Sequence, residues 1–242
     1  MIFLGQMKNP KLNIIETSDH SFVDRIDAGR QLGAALNRLN LHADVVLGIP
    51  RGGVVIAQQL AQALKTRLDI ILTRKIGAPG NPELAIGAVG EEGHLYLNDD
   101  LIESLDVDDE YILRMKIREL ATIAQRKSLF RRYHPKIPLK EKTILITDDG
   151  VATGATLEAA IWTASQEKPA KIIVAIPIGS VNSLERLTLG ADQVICLRLP
   201  PYFKALGQFY KNFDQVDDDR VAEILRHNES GKMKGESHET QD

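Results

Sequence analysis

The run Ile144–Thr156, ILITDDGVATGAT, carries apolar or β-branched residues into two adjacent carboxylates and then into a Thr-Gly-Ala-Thr turn. This pattern describes a buried strand that ends at a site, followed by a loop that opens a helix. The first amides of a helix lack intrahelical acceptors and lie at the positive pole of its dipole, so such a turn suits a phosphate. Asp148 and Asp149 would repel a bare phosphate. A ligand that satisfies both halves must also carry hydroxyls or a cation, and a sugar phosphate with vicinal hydroxyls fits better than inorganic phosphate. Ionised carboxylates accept hydrogen bonds from hydroxyls, and the small residues Gly154 and Ala155 let the backbone come close. The plainer reading, an ordinary strand-to-helix turn with threonine capping, leaves the paired acids unexplained.

A second loop, Gly48-Ile49-Pro50-Arg51-Gly52-Gly53, comes after another apolar run and opens another helical pattern. Pro50 fixes one dihedral, the glycines reach conformations closed to other residues, and main-chain amides there can converge on an anion. Arg74 and Lys75 come after the next apolar run, where two cations would stabilise departing negative charge. A plain Gly-Gly turn and a basic strand end are the competing readings. The chain has neither a G-x-x-x-x-G-K-[ST] loop nor a G-x-G-x-x-G after a strand, which argues against a nucleoside triphosphatase and a dinucleotide enzyme. Its histidines are scattered, and no His/Cys/carboxylate spacing suggests a metal cage built by the protein.

Taken together, the three segments resemble the type I phosphoribosyltransferases, in that family's order and across most of residues 20–200. The resemblance implies an α/β fold: a parallel sheet with helices on both faces, plus a small hood or flap and a β-hairpin loop. It also implies binding of 5-phosphoribosyl-1-pyrophosphate (PRPP). Ala152, Thr153, Gly154, Ala155 and Thr156 would hold the 5′-phosphate, and Asp148 and Asp149 the ribose 2′- and 3′-hydroxyls. Arg51, Gly52 and Gly53 would hold the pyrophosphate, beside Arg74 and Lys75, and a cis peptide entering Arg51 often belongs to that loop.

The implied reaction is displacement of pyrophosphate from C1 by a nitrogenous base or related amine, within nucleotide metabolism or salvage. Mg²⁺ is the implied cofactor; it arrives with PRPP, within reach of Asp148 and Asp149. Ala152 stands where 6-oxopurine members carry a catalytic aspartate, whereas adenine and orotate members carry alanine, so hypoxanthine and guanine are disfavoured. Arg198, Tyr202 and Phe203 are candidates for base binding, since aromatic rings stack on planar ligands and arginine reads their acceptors. Aromatic packing of a C-terminal flap competes with that reading. The layout is also similar to stand-alone members with a GAPGNPELAIGAV-like loop, whose nucleophile the motif does not imply. A PRPP- or nucleotide-binding regulator without turnover stays open, although Arg51, Arg74 and Lys75 favour an enzyme. The resemblance allows a homodimer.

The chain has 242 residues, enough for one sizeable core, and a formal net charge of −3, which argues against a dedicated nucleic-acid binder. Its one cysteine, Cys196, sits in an apolar run and excludes an internal disulfide. No apolar stretch approaches the ~20 residues that cross a bilayer. The first ten residues lack the layout of a secretory signal. The expectation is a cytoplasmic protein without membrane or nucleic-acid partners. A single domain is expected over 1–226, with a core of about 20–200, a C-terminal flap of about 198–226 and a polar, unfolded tail at 227–242.

Positioning falls to strands and helices legible from periodicity. Residues 1–20 allow an edge strand or a flap. Ser21 is placed to cap a helix from Phe22 to Leu39. Strands are expected at Asp44–Ile49, Leu68–Thr73, Thr143–Thr147, Lys171–Ile176 and Gln193–Leu197. Helices are expected at Gly53–Leu64, Asp108–Arg132, Ala155–Gln166 and Ser180–Thr188. Leu113, Ile117, Leu120 and Ala124 form the expected seam of the long helix. Ala85–Val89 and His94–Leu97 can pair as a hairpin. By resemblance Ala78–Gly93 would be a mobile catalytic loop, with Glu83, Glu91 and Glu92 as closure or base residues. Apolar strands alternating with amphipathic helices predict a parallel sheet covered on both faces, with the ligand at the carboxyl ends of its strands.

Overall fold

The structure is a computed structural model that describes residues 9–132 and 134–235. In chain order its elements are β1 (Leu12–Thr17), α1 (Arg25–Arg38), β2 (Val45–Gly48), α2 (Gly52–Leu64), β3 (Arg67–Ile70), β4 (Thr73–Ala78), β5 (Asn81–Gly90), β6 (Leu95–Leu97), α3 (Asp99–Ser104), α4 (Asp109–Phe130), β7 (Thr143–Thr147), α5 (Ala155–Ser165), β8 (Lys171–Ile178), α6 (Val181–Leu187), β9 (Gln193–Leu199) and α7 (Asp218–Gly235). Six parallel strands form the main sheet in the order β1-β9-β8-β7-β2-β3, and β4-β5-β6 form a small antiparallel sheet. This is the expected α/β architecture with its hood.

Side-chain alternation explains why the main strands are apolar throughout. Leu47, Ile146, Val174 and Cys196 pack on one face with Leu157 and Ile161 of α5 and Leu184 of α6. The intervening Val46, Leu145, Ile173 and Ile195 pack on the other face with Leu32 and Leu36 of α1 and Ile56 and Leu60 of α2. Each such burial contributes about 1.5–3 kcal/mol. Cys196 is a core residue, and burial pushes its thiol up to about 12. No helix among the described residues is long and apolar enough to cross a membrane.

Several boundaries differ from the periodic reading. α1 begins at Arg25 with Asp24 as its cap, because the Asp24 carboxylate accepts from the Asp27 amide at 2.8 Å while the Asp27 carboxylate accepts from the Val23 amide. Ser21 and Phe22 instead join the flap: Ser21 Oγ donates to Gln208 O, and the Phe22 amide to Phe209 O. Leu39 ends the helix and is exposed. The apolar run from Leu68 to Thr73 is not one strand. β3 stops at Ile70 and the chain crosses to the small sheet, where Thr73 begins β4.

Ala78–Gly93 is mostly strand rather than a long irregular loop, and Gly87, Ala88 and Val89 pair with Leu97, Tyr96 and Leu95. β1 is an edge strand beside β9; residues 1–8 lie outside the described residues. α7 continues through His227 to Gly235, where composition predicts an unfolded tail, and 236–242 lie outside the described residues.

The long helix turns a different face inward. Leu113 and Ile117 are 56% and 62% exposed, whereas Ile112, Glu119, Ile123 and Phe130 are buried against the small sheet, the core and α7. At its end Arg131 ties the edge of the main sheet to the hairpin. It lies 2.5 Å from Asp69 Oδ1 and 3.0 Å from Glu91 Oε1. Asp69 is buried, and its carboxylate also accepts from the Ile137 amide at 2.8 Å, with His134 Nε2 at 3.4 Å. Burial works against the Asp69 carboxylate, but His134, Arg131 and the Ile137 amide outweigh it and hold the group below the usual carboxylate range.

Asp69→Ala should lower the unfolding free energy by about 3–5 kcal/mol, because Arg131 would keep a buried charge with one partner fewer. Since the folded-state pKa is depressed, the Asp69 contribution is present above the ordinary carboxylate range and is lost as pH falls through the folded value. Urea unfolding of wild type and variant at several pH values checks both statements. A loss below about 1 kcal/mol would mean the cluster behaves as a surface pair.

Candidate active site

β3, β2 and β7 are neighbours in the sheet, so the segments leaving their carboxyl ends gather in one cleft. Arg51 precedes α2 as its cap residue, and the Pro50–Arg51 bond is cis. The two glycines after it are required by close approach. A side chain at Gly52 would collide with the Asp149 carboxylate, and a Cβ at Gly53 would lie 2.8 Å from Thr147 O and 2.9 Å from Asp148 Cα. The two loops therefore pack directly on each other.

The acids are half-buried at the base of the cleft. The Asp148 carboxylate accepts from the Asp149 amide at 2.8 Å. Burial, and then the Asp149 charge, push the Asp148 carboxyl well above the usual range. Burial raises Asp149 as well, opposed by Arg25, whose Nε lies 2.7 Å from Asp149 Oδ2. Arg25 is itself fixed over the Phe213 ring at 3.9 Å and donates to Asp214 O at 2.7 Å. Tyr210 donates its hydroxyl to the Asp149 carbonyl at 2.5 Å; burial and the Asp149 charge push its phenol well above its ordinary value.

The phosphate-type loop is braced from behind. Gly154 precedes α5 with φ 84°, a left-handed conformation natural to glycine. The Ala152 carbonyl accepts from Ser180 Oγ at 3.0 Å and Ser183 Oγ at 2.6 Å, and the Thr153 carbonyl accepts from Arg186. Arg186 also pairs with Glu158 at 2.9 Å. With the carbonyls held on the far side, the first-turn amides of α5, including those of Ala155 and Thr156, remain available to a ligand.

The other predicted residues separate. Arg74 pairs with Glu119 of α4 at 2.8 Å, and Lys75 with Glu83 at 2.9 Å across the hairpin. Adjacent strand residues point to opposite faces, and Arg74, unlike Lys75, lines a cavity with Pro50 and Thr156. Glu91 and Glu92 are engaged by Arg131, Lys127 and Lys136 rather than by the cleft. Arg198 is held by Glu16, the His20 carbonyl and Gln31, over the Phe22 ring. Tyr202 is 81% exposed, and Phe203 packs on Phe209. The structure thus gathers Asp148, Asp149, Gly52 and Gly53, with Arg74 at one rim, and does not bring Arg198, Tyr202 or Phe203 to one point. Among the described residues no group of three or more His, Cys, Asp or Glu side chains is arranged to hold a metal ion.

Arg25, Ser180, Ser183 and Arg186 lie outside every sequence motif, and Tyr210 belongs to the Gln208-Phe209-Tyr210 segment whose residue types suggest base contacts rather than the hydrogen bond it makes to Asp149. Arg25 alone carries a local signal: a cation in the first turn of a helix opposes the dipole and calls for a partner elsewhere.

Comparison with known proteins agrees with this geometry. A model of the phosphoribosyl transferase domain matches residues 23–196. Two Mycobacterium tuberculosis proteins, from strains CDC 1551 and H37Rv, carry provisional phosphoribosyl transferase names. Each is 43% identical over 204 residues, which is 84% of this chain and 46% of the relative. The chain therefore spans less than half the length of the curated relatives it matches. A crystal structure of a Thermus thermophilus protein, 43% identical, superposes with a TM-score of 0.79 over 86% of this chain and 98% of that one.

The folded state binds the Asp148 proton more tightly than the unfolded chain does. Stability should therefore fall as pH rises from the ordinary carboxylate range through the raised folded value, and level off above it. Asp148→Asn removes that component and keeps an acceptor for the Asp149 amide. Its Tm should exceed that of wild type by a few degrees near about pH 8, with the difference closing toward about pH 4. A difference independent of pH in thermal scans would show that the pair is solvated.

Proposed function

Because this chain belongs to the phosphoribosyl transferase domain family, we propose that it transfers the 5-phosphoribosyl group of PRPP to a nitrogenous base or related amine and releases pyrophosphate. The observation that carries this reading is the direct packing of the Gly52-Gly53 turn on Asp148 and Asp149, beside the braced N-terminus of α5.

In this reading the 5′-phosphate rests on the amides of Thr153–Thr156 and the two threonine hydroxyls. The ribose hydroxyls donate to Asp148 and Asp149. Arg25 opposes the effect of burial on Asp149 and so favours its accepting, charged form, and hydroxyls or a cation arriving at Asp148 would favour its charged form likewise. The incoming nitrogen forms a bond to C1 as the bond from C1 to the pyrophosphate oxygen breaks, and pyrophosphate leaves with the electron pair. Positive charge that builds on the ring faces the paired carboxylates; negative charge that builds on the leaving group faces the Arg51 loop and Arg74. Asp148 has a half-buried carboxyl with no cation in direct contact among the described residues, and with Asp149 and the diphosphate it would offer an all-oxygen set suited to Mg²⁺. Bound there, Mg²⁺ would neutralise charge on the departing pyrophosphate.

The flap over residues 200–216 packs on the same loops through Leu206 and Tyr210, which makes its underside the nearest place for the base. Ala152 removes the acid that a 6-oxopurine would use. The base is thus sought among rings and amines that carry their own nucleophilic nitrogen.

Pyrophosphate release from PRPP and Mg²⁺ with a panel of purines, pyrimidines, pyridines and simple amines tests the proposal. At least one acceptor should support turnover, and Asp148→Asn combined with Asp149→Asn should lower the rate by about 10²–10³-fold or more while circular dichroism stays native. Release at the wild-type rate by that variant would overturn the roles given to the acids. Magnesium-dependent PRPP binding without release for any acceptor would favour a regulator.

A further inference from the structure

A second guanidinium stands beside Arg74 at the rim next to the loop that carries Arg51. Arg126, one turn beyond the buried Ile123 on the inner face of α4, lines a cavity of about 50 Å³ together with Pro50, Thr73, Arg74 and Thr156. Pro50 belongs to the loop assigned to pyrophosphate and Thr156 to the loop assigned to the 5′-phosphate. The cavity thus adjoins both loops of the proposed site.

The charge balance at this rim is incomplete. Arg126 is 24% exposed, and its carboxylate neighbour, Asp218 Oδ1 in the first turn of α7, stands 3.9 Å from Nε, beyond hydrogen-bond reach. That oxygen is buried and accepts no hydrogen bond, so it offsets the charge without engaging the guanidinium donors. Among the described residues Arg126 makes no hydrogen bond and Arg51 has no carboxylate partner. Glu119 offsets Arg74 but also lies 3.8 Å from Arg118. Burial lowers the Arg126 pKa; Asp218 opposes this, and the charges of Arg74 and Arg51 lower it further. Three cations gathered at a half-dry rim repel one another unless an anion joins them. Guanidinium forks match phosphate oxygens, and a diphosphate offers enough charge and enough oxygens for all three.

We propose that Arg126 is a pyrophosphate-binding residue, donating to an oxygen of the PRPP diphosphate once the ligand takes over the charge balance that Asp218 supplies in its absence. The assignment rests on the phosphoribosyl-transfer reading and extends it to α4, an element outside all three sequence motifs. It makes Asp218 a competitor of the ligand. A structural Arg126–Asp218 pair and a ligand-binding Arg126 therefore make opposite predictions for the removal of Asp218.

The test is calorimetric titration of the full chain with magnesium pyrophosphate, PRPP and ribose 5-phosphate, in wild type and in Arg126→Gln, Arg126→Lys and Asp218→Asn. Arg126→Gln should weaken pyrophosphate and PRPP about tenfold or more while ribose 5-phosphate changes less than about twofold. Arg126→Lys should recover part of the loss, since a point charge replaces a fork. Asp218→Asn should bind pyrophosphate as tightly as wild type or more tightly. Equal weakening of all three ligands by Arg126→Gln and Asp218→Asn would show a structural pair and overturn the assignment. Unchanged pyrophosphate affinity in Arg126→Gln would overturn it as well, and if wild type still binds all three ligands the transfer reading survives. Wild type that binds none of the three would end both.

Discussion

Gly48 of β2 lies opposite Thr147 of β7, so the chain leaves both strands at the same level of the sheet. The loop leaving β2 must pack on the loop leaving β7, and that contact sets the rest of the site. The residue after Arg51 has no room for a side chain because the Asp149 carboxylate fills the space. A glycine turn opening a helix and a pair of carboxylates therefore meet within contact distance without any dedicated scaffold. Parallel register delivers them, as it delivers ligand sites generally to the carboxyl ends of parallel strands.

Contact of this kind puts two carboxylates into a low-dielectric cleft, which is costly unless charge is balanced. The balance comes from elements far away in sequence. Arg25 opens α1, and its hydrogen bond to Asp149 spans 124 positions; Tyr210 reaches back 61 positions from the flap to the Asp149 carbonyl. Phe213 and Asp214 then fix Arg25 from the other side. The flap is thus more than a cover. It holds the arginine that opposes the effect of burial on Asp149, and Asp148, without a direct cationic contact among the described residues, is pushed further up by burial and by its neighbour's charge.

Only the local features could be read from the chain. Five of the six main strands announce themselves by a short apolar run, and each motif loop by glycine and polar residues at its end; β1 at the sheet edge does not, and the choice there between strand and flap stayed open. Long-range pairing was not legible. On α4 both Leu113/Ile117 and Ile112/Ile123 recur at helical spacing, and the first pair is the one exposed. The choice between them turns on Glu119, which a sequence reading assigns to solvent. It is buried because Arg74, 45 residues earlier, supplies its counter-charge. The break at Ile71-Leu72 was hidden for a similar reason, since both residues are buried whether the chain continues the sheet or leaves it. Arg198, Tyr202 and Phe203 looked like ligand contacts by residue type, but neighbours from β1, α1 and the flap already engage Arg198 and Phe203.

Two of the cations, Arg74 and Arg126, belong to a different layer from the acids. Asp148 and Asp149 are fixed by the main sheet, whereas Arg74 rides on the small sheet and Arg126 on α4. That second layer is joined to the edge of the first where Arg131 bridges Asp69 in β3 and Glu91 at the end of β5. Electrostatic stabilisation of a leaving group depends on donors held in advance at the right place. The Asp69 cluster is a direct link between the layer carrying Arg74 and the sheet carrying the acids. A buried charge network that would be an unfavourable choice for stability alone here joins the layer carrying Arg74 and Arg126 to the sheet carrying the paired acids.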